Sequence, residues 1–323
     1  MINKEYMKKV LIAEDSSVIQ NLAKKILEFQ NFEIHAVKNG QQVLDELAKA
    51  DFDIILLDIN MPVMDGMDCA RAVRALADSK KAAIPMIACA CSVCQSTDER
   101  DKRLRVSVHI EIGGKSFIID TGPDFRQQVL RAGIKRLDAV LYTHEHKDHT
   151  AGLDDVRGFN FHQQSSIPLY ARAQVIEQLK REFAYAFGDN KYPGVPEIDV
   201  YEIDGKPFTV QGIDIQPIFV KHYYLDVLGF RFGNFAYVTD ANSIAPEEQD
   251  KLRNLDVLVI NALRKTTHVS HFTLAEALEL IADLQPKQAY ITHISHQMGL
   301  HAAVQKELPP NVFLAYDGLV LNS

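Results

Sequence analysis

The stretch that most limits what this chain can become is Thr143-His144-Glu145-His146-Lys147-Asp148-His149, which follows directly on the run Ala139-Val140-Leu141-Tyr142. A buried strand that runs straight into four candidate metal ligands delivers them all to one edge of a sheet. Alternate residues on an extended segment point the same way, so His144 and His146 can hold one cation together, and Asp148 and His149 on the turn beyond are free to hold a second. A lone histidine is more often a satisfied surface or core residue. A packed quartet of imidazoles and a carboxylate is instead the donor set of a borderline metal such as zinc or manganese.

Around this stretch the chain has two grammars. From Lys8 to about Met86 short β-branched runs (Val10 to Ala13, Glu33 to Val37, Ile54 to Leu57, Pro85 to Ala88) alternate with amphipathic stretches (Val18 to Phe29, Gln41 to Ala50, Met67 to Leu76), the pattern of a parallel sheet covered by helices. Gly40 and Gly66 mark helix starts. Beyond Arg103 strand pairs joined by glycine turns take over, such as Val106 to Ile112 and Ser116 to Asp120 around Gly113-Gly114, and eleven of the twelve histidines lie past residue 100. Length alone favours two domains in 323 residues, since single cores stop growing before that size. The expected division is 1–86 and 87–323, without a flexible linker.

Hydrophobic residues at 47% and charged residues at 24% give a globular chain with enough apolar surface for real cores. A net charge of −8 offers no general attraction to phosphate backbones, which favours a small substrate over nucleic acid. Met1 to Lys9 is polar where a secretory signal is apolar, and no run is long enough to span a bilayer, so a cytoplasmic location without membrane contact is expected. Three of the four cysteines, Cys89, Cys91 and Cys94, crowd together, which in a reducing compartment points to metal before disulfides.

The pattern His-x-His-x-Asp-His followed by Thr150-Ala151-Gly152-Leu153 resembles the signature of the metallo-β-lactamase superfamily. That resemblance implies an α+β fold with an αββα sandwich and a two-metal centre built from His144, His146, Asp148, His149, His222, Asp240 and His293. The last three each end a β-type run: Ile215 to Val220, Phe235 to Thr239, Ala289 to Thr292. A carboxylate such as Asp240 has two oxygens and suits a bridge between two cations; its bland alternative is a helix N-cap. Within the superfamily the sequence from about Ile87 is similar to the phosphodiesterase (PhnP-like) branch found with bacterial carbon-phosphorus lyase systems. This implies a structural zinc on Cys89, Cys91, Cys94 and His296, a closed site that binds no substrate. Asp98 to Arg105, Asp120-Thr121-Gly122-Pro123-Asp124, Gly229-Phe230-Arg231-Phe232 and Ala315-Tyr316-Asp317-Gly318 resemble the same branch and are read as fold signals.

The implied chemistry is hydrolysis of a small cyclic or nucleotide-like phosphodiester by water activated between two divalent metals, Mn²⁺ or Zn²⁺. Asp148 is expected to orient that water or take its proton, and His271 to be the acid that the leaving alkoxide needs; His268 is its alternative, and either could instead cap the helix near Thr273. His109, His162 and His301 match no motif and default to structural roles. Two other functions stay in view: a tRNA-processing nuclease of the same superfamily, which would need a basic arm that the sequence lacks, and a non-catalytic signalling module.

In the first half, Ile12-Ala13-Glu14-Asp15 and Leu57-Asp58 bring three carboxylates to the carboxyl edge of the parallel sheet, a place able to hold Mg²⁺. With Met61-Pro62-Val63-Met64-Asp65-Gly66 this resembles the response-regulator receiver (CheY-like) domain, a doubly wound α/β fold, with Asp58 in the place of the phosphorylated aspartate and Glu14 and Asp15 in that of the magnesium-binding acids. The resemblance stops at Ile84-Pro85-Met86-Ile87-Ala88. Ala90 replaces the hydroxyl residue expected there, and the last strand, its lysine and two helices are absent. The chain reads as a fusion, natural, artefactual or engineered, of a truncated receiver onto a hydrolase. The exposed edge of a truncated sheet favours pairing with another element or a second copy, hence a homodimer.

Overall fold

A computed structural model describes residues 8–58, 61–84, 86–87, 91–188 and 192–322. The chain forms two compact units, Met1–Gln95 and Ser96–Ser323.

In the first unit, strands β1 (Lys9–Ala13), β2 (Glu33–Val37), β3 (Ile54–Leu57) and β4 (Met86–Ile87) make a parallel sheet in the order β2-β1-β3-β4. This is the doubly wound order short of its last strand. Helices Ser17–Phe29, Gly40–Lys49 and Gly66–Arg74 occupy the three expected stretches. Val43 and Leu47, one helical turn apart, are buried with Leu11, Ile55, Cys69 and Val73 in one core. Asn39 and Asp65 cap the second and third helices, their side-chain oxygens accepting from Gln42 N–H at 3.0 Å and Asp68 N–H at 2.7 Å. Two details differ from the expectation. The fourth strand is confined to Met86–Ile87 among the described residues, Pro85 and Ala88 lying outside them. A one-turn helix, Ser79–Ala82, forms because the Asp78 carboxylate accepts from Lys80 and Lys81 N–H, a capping signal too short-ranged to register as periodicity.

The second unit is a four-layer αββα sandwich. One sheet runs β5 (Val108–Ile112), β6 (Lys115–Ile119), β7 (Ala139–Leu141), β8 (Ile167–Ala171), β9 (Ile198–Glu202), antiparallel only at β5–β6. The other runs β10 (Phe208–Val210), β11 (Ile213–His222), β12 (Leu225–Phe232), β13 (Phe235–Val238), β14 (Val257–Asn261), β15 (Gln288–Thr292), β16 (Val312–Leu314), antiparallel as far as β13 and parallel after it.

Successive strand residues point to opposite faces, and the apolar residues divide accordingly. Phe117, Ile119, Ala139 and Leu141 meet Leu228, Phe230, Tyr237 and Val259 between the sheets. Ile118, Val140 and Tyr142 face outward, packed with helix residues Phe125, Val175 and Leu179. Ala236, Val238, Leu258 and Ile260 share the far core with Leu274, Ala277 and Ile281 of helix Leu274–Leu284. Strands apolar on both faces must be covered on both, which is why the sequence reads as continuous hydrophobic runs rather than alternation. The unit's ends are tied by polar contacts: Arg103 Nε–H donates to Ala315 O at 3.1 Å and Leu104 N–H to Asp317 Oδ2 at 2.9 Å.

Candidate metal centre

All seven residues expected to bind metal lie at or just beyond strand ends on one edge of the sandwich. His144, His146, Asp148 and His149 follow β7, the last two on the one-turn helix Lys147–Thr150; His222 ends β11; Asp240 and His293 follow β13 and β15. The rings of His144, His146 and His222 form one group, with centroids 4.6 Å (His144–His146), 5.1 Å (His146–His222) and 5.8 Å (His144–His222) apart. Asp148, His149 and His293 form a second, with Asp148 Oδ2 3.7 Å from His149 Nε2 and 3.6 Å from His293 Nε2. Asp240 stands between them. Its Oδ2 lies 3.2 Å from His149 Nε2, while its Oδ1 lies 3.3 Å from His293 Nε2 and 4.0 Å from His144 Nε2. It caps nothing, because the next helix begins at Pro246 with Ala245 in the capping position.

Three turns around the site adopt backbone that side chains ordinarily avoid: Asp120, Asp240 and His293 have φ of 62°, 56° and 51°. Each such residue costs on the order of 1–2 kcal/mol, strain that surrounding structure must hold and that concentrates where side chains are aimed for chemistry.

The histidine tautomers are fixed from behind. His149 Nδ1–H donates to Asp120 Oδ2 at 2.8 Å. Thr143 Oγ1–H donates to the same oxygen at 2.8 Å, which leaves Thr143 Oγ1 to accept from His144 Nδ1–H at 3.0 Å. Thr143 N–H completes the set on Asp120 Oδ1 at 2.9 Å. Full burial pushes the Asp120 pKa up and these donors push back; an ionised, acceptor-only carboxylate is the form that satisfies all of them. On the other sheet His222 Nδ1–H points at the carbonyls of Asp240 and Ser270, each at 2.9 Å. In all three rings the Nε2 lone pair is therefore the one turned to the site.

This arrangement fits a cation. His144 Nε2 is buried with no hydrogen-bond partner among the described residues, a costly state for a polar atom unless something else is meant to meet it, and buried His149 Nε2 has only the Asp240 carboxylate, 3.2 Å away, to face. The surroundings also demand positive charge. Burial pushes the Asp240 pKa up, yet His293, His149 and His144 outweigh it and hold the carboxylate well below its usual range. Burial opposes charge on His149, but Asp240 and Asp120 flank its two ring nitrogens and raise its pKa well above the ordinary value. His144, by contrast, is held neutral chiefly by burial. One oxygen from Asp240 with nitrogens of His144 and His149, and ligand atoms of Asp148, His149 and His293, come close enough together to share an ion.

The ligand turn is held at close quarters. Thr121 N–H donates to His149 O and Gly152 N–H to Thr121 O, both at 2.8 Å, so the chain after β6 passes directly beneath the ligand helix. A Cβ on Gly122 would collide with Asp148 O, and one on Gly152 with Gly122 O. Both positions need glycine for approach, not for φ. The sequence reading placed Asp120 and Gly122 among fold signals. Their part behind the ligands was missed because it depends on a contact 29 residues away in sequence.

A model of the β-lactamase superfamily domain matches residues 115–294. The chain belongs to that superfamily. A response regulator receiver domain model matches residues 10–102, so a receiver domain precedes a metallo-β-lactamase-fold hydrolase. A crystal structure described as a new diphosphatase from the PhnP family is 39% identical with TM-score 0.68, covering 73% of this chain and 90% of that one. An octanoyltransferase from Porphyromonas gingivalis is 40% identical over 239 residues, 73% of this chain and 48% of that protein, so the chain spans about half the length of this curated relative. A protein-glutamate methylesterase/protein-glutamine glutaminase of Rhodospirillum rubrum is 44% identical over 70 residues, 21% of this chain and 19% of that protein. Divalent metal binding is what the superfamily implies for the residues just described. Among the described residues no helix is long and apolar enough to cross a membrane.

The remaining expected site residues are distributed as follows. His271 is buried beside the cluster, its Nδ1 3.8 Å from Asp240 Oδ1 and its ring centroid 4.6 Å from His222 and 4.9 Å from His293. Burial pushes its pKa down to about 3. His268 lies further out, its Nδ1 accepting from Ser270 N–H at 3.3 Å. Neither caps the following helix: Thr273 does, in a reciprocal pair with Glu276. His109 bonds Ser116 Oγ, and His301 Nδ1 accepts from Arg103, as structural residues would. Cys91 and Cys94 lie in the turn closing the first unit, His296 opens a short 3-10 turn in the second, and Cys89 is outside the described residues. In the first unit Glu14, Asp15 and Asp58 come together with one carboxylate oxygen each within 4.8 Å of the others.

Proposed function

We propose that the hydrolase domain is a dinuclear-metal phosphodiesterase of the PhnP-like branch, acting on small cyclic or nucleotide-like phosphodiesters. The observation that supports this most is the position of Asp240 between the two donor groups, with Oδ2 3.2 Å from His149 Nε2 and Oδ1 3.3 Å from His293 Nε2 on one side and 4.0 Å from His144 Nε2 on the other. His144, His146 and His222 would hold one ion, Asp148, His149 and His293 the other, with Asp240 common to both. When bound, divalent ions such as Mn²⁺ or Zn²⁺ acidify water and offset phosphate charge.

The chain's own residues supply the rest. Asp148 is only partly covered and keeps a carboxylate edge open to solvent, from which it orients the attacking water and takes its proton. His271, its pKa pushed down to about 3 by burial, lends the leaving oxygen an N–H hydrogen bond, and the proton that Asp148 takes from the attacking water returns to that oxygen. The diphosphatase description of the 39% identical structure supports hydrolysis at phosphorus.

The test is a substrate panel (a cyclic phosphodiester, a nucleotide ester, a nucleoside diphosphate ester and a tRNA precursor) run with metal analysis on the full chain. Cleavage of the small esters and not of the tRNA supports the reading. A metal-loaded chain that cleaves none of them sinks it.

Two further assignments rest on sequence. Hydrolase-type sequence begins at Ile87, and Cys89, Cys91, Cys94 and His296 remain the ligands that the resemblance implies for a structural zinc; zinc retained beyond two equivalents after mild chelation would support this, and its absence would not. Glu14, Asp15 and Asp58 make a weak Mg²⁺ site without signalling output, since the lysine and hydroxyl that stabilise a phosphorylated aspartate are absent from the sequence. Mg²⁺ titration and acetyl phosphate labelling check it: stable phosphorylation of Asp58 would contradict it.

A further inference from the structure

The turn between β11 and β12 breaks the rules for its length. His222 pairs with Leu225, so Tyr223 and Tyr224 are the two central residues of a two-residue hairpin loop, positions that ordinarily go to Asn, Asp or Gly. Tyr223 has φ of 58°, a left-handed conformation that is a genuine outlier for a bulky side chain. Both rings are exposed, at 59% and 83%, and rest on each other edge to face at 5.0 Å. Nothing in folding rewards two solvent-facing aromatics in a strained turn, and local rules are broken in this way chiefly at functional sites.

The turn is also held in place at the site. It follows His222 directly, and Tyr223 N–H donates to Asn242 Oδ1 at 2.8 Å. Asn242 donates in turn from Nδ2 to Val269 O at 3.3 Å and from its backbone N–H to Lys221 O at 2.8 Å. One side chain thus ties the tyrosine turn to the segment after Asp240 and to the loop carrying His271.

We propose that Tyr223 and Tyr224 form a stacking platform at the rim of the metal centre that selects substrates whose phosphate carries a planar aromatic group, a nucleobase above all. The proposal rests on the phosphoryl-ester reading of the site and names its substrate class. Every base has a flat π face, so such a platform favours nucleotides without discriminating strongly among bases.

The experiment compares thymidine 5′-monophosphate with ribose 5-phosphate by calorimetry on the metal-loaded full chain. Wild type is expected to bind the nucleotide about tenfold more tightly. Tyr223→Ala/Tyr224→Ala should bind the two probes alike, and Tyr223→Phe/Tyr224→Phe should keep the preference. Tyr224→Ala alone leaves the strained position untouched and should lose part of it. Equal affinity in wild type, no binding of either probe at millimolar concentration, or a preference that survives the double alanine variant overturns the platform. Hydrolysis is measured on the same preparations: nucleotide preference without ester cleavage sinks the phosphodiesterase reading alone, and cleavage without preference sinks the platform alone.

Discussion

Asp120 Oδ2 and His149 Nδ1 stand 2.8 Å apart with neither side chain exposed. That carboxylate also receives Thr143, and through it His144, so one buried acid sets the orientation of two imidazoles that face the candidate metal centre. Outer partners of this kind govern ligand basicity as well as aim.

Asp120→Asn should therefore lower metal affinity by about 10–100-fold while the fold persists, because an amide cannot accept from every donor the carboxylate serves. Competition with a graded chelator reads the affinity. Unchanged affinity would show that the ligands hold their aim without Asp120.

Asp240→Ala removes the carboxylate shared by both donor groups. Bound metal should fall below two equivalents and hydrolysis should drop at least about a hundredfold, with elemental analysis and turnover measured together. Full metal content in this variant would contradict the shared position.

His271→Ala should cut turnover by about a hundredfold at normal metal content. If metal is lost instead, His271 is a ligand beside His222 and Asp240 and not a donor to the leaving group.

Gly122→Ala tests the crossing under the ligand helix. The added Cβ meets the backbone oxygen of Asp148, so stability should fall by roughly 1–3 kcal/mol, read by chemical denaturation. A neutral result would mean the two segments separate without cost.

His301, which bonds Arg103 and is outside the expected ligand set, gives a pH dependence of its own. Its Nδ1 accepts from Arg103 at 3.0 Å, and a guanidinium cannot accept, so the folded ring must be neutral. Burial, then the charges of Arg103 and Arg100, lower its pKa below the unfolded value near 6.5. The unfolded chain binds the proton first, so this contribution is complete above that value and is lost as pH falls through the depressed folded pKa. Denaturation midpoints should drop on acidification less steeply in His301→Gln, whose carbonyl can still accept. Identical slopes would remove His301 from the account.

Local sequence determined a good deal here. Periodicity placed the three long helices of the first unit, because buried faces recur at 3.6 residues regardless of what covers them. The apolar runs ending in His144, His222, Asp240 and His293 placed the candidate ligands at strand ends, because strands buried on both faces must be apolar throughout. Tertiary structure alone decided how those ends converge: which oxygen of Asp240 faces which imidazole, that Asp120 stands behind His149 and His144, and that Gly122 and Gly152 let two backbones cross. These are contacts between residues far apart in sequence, and a hydrogen bond is set by distance and direction in space, which local pattern does not encode.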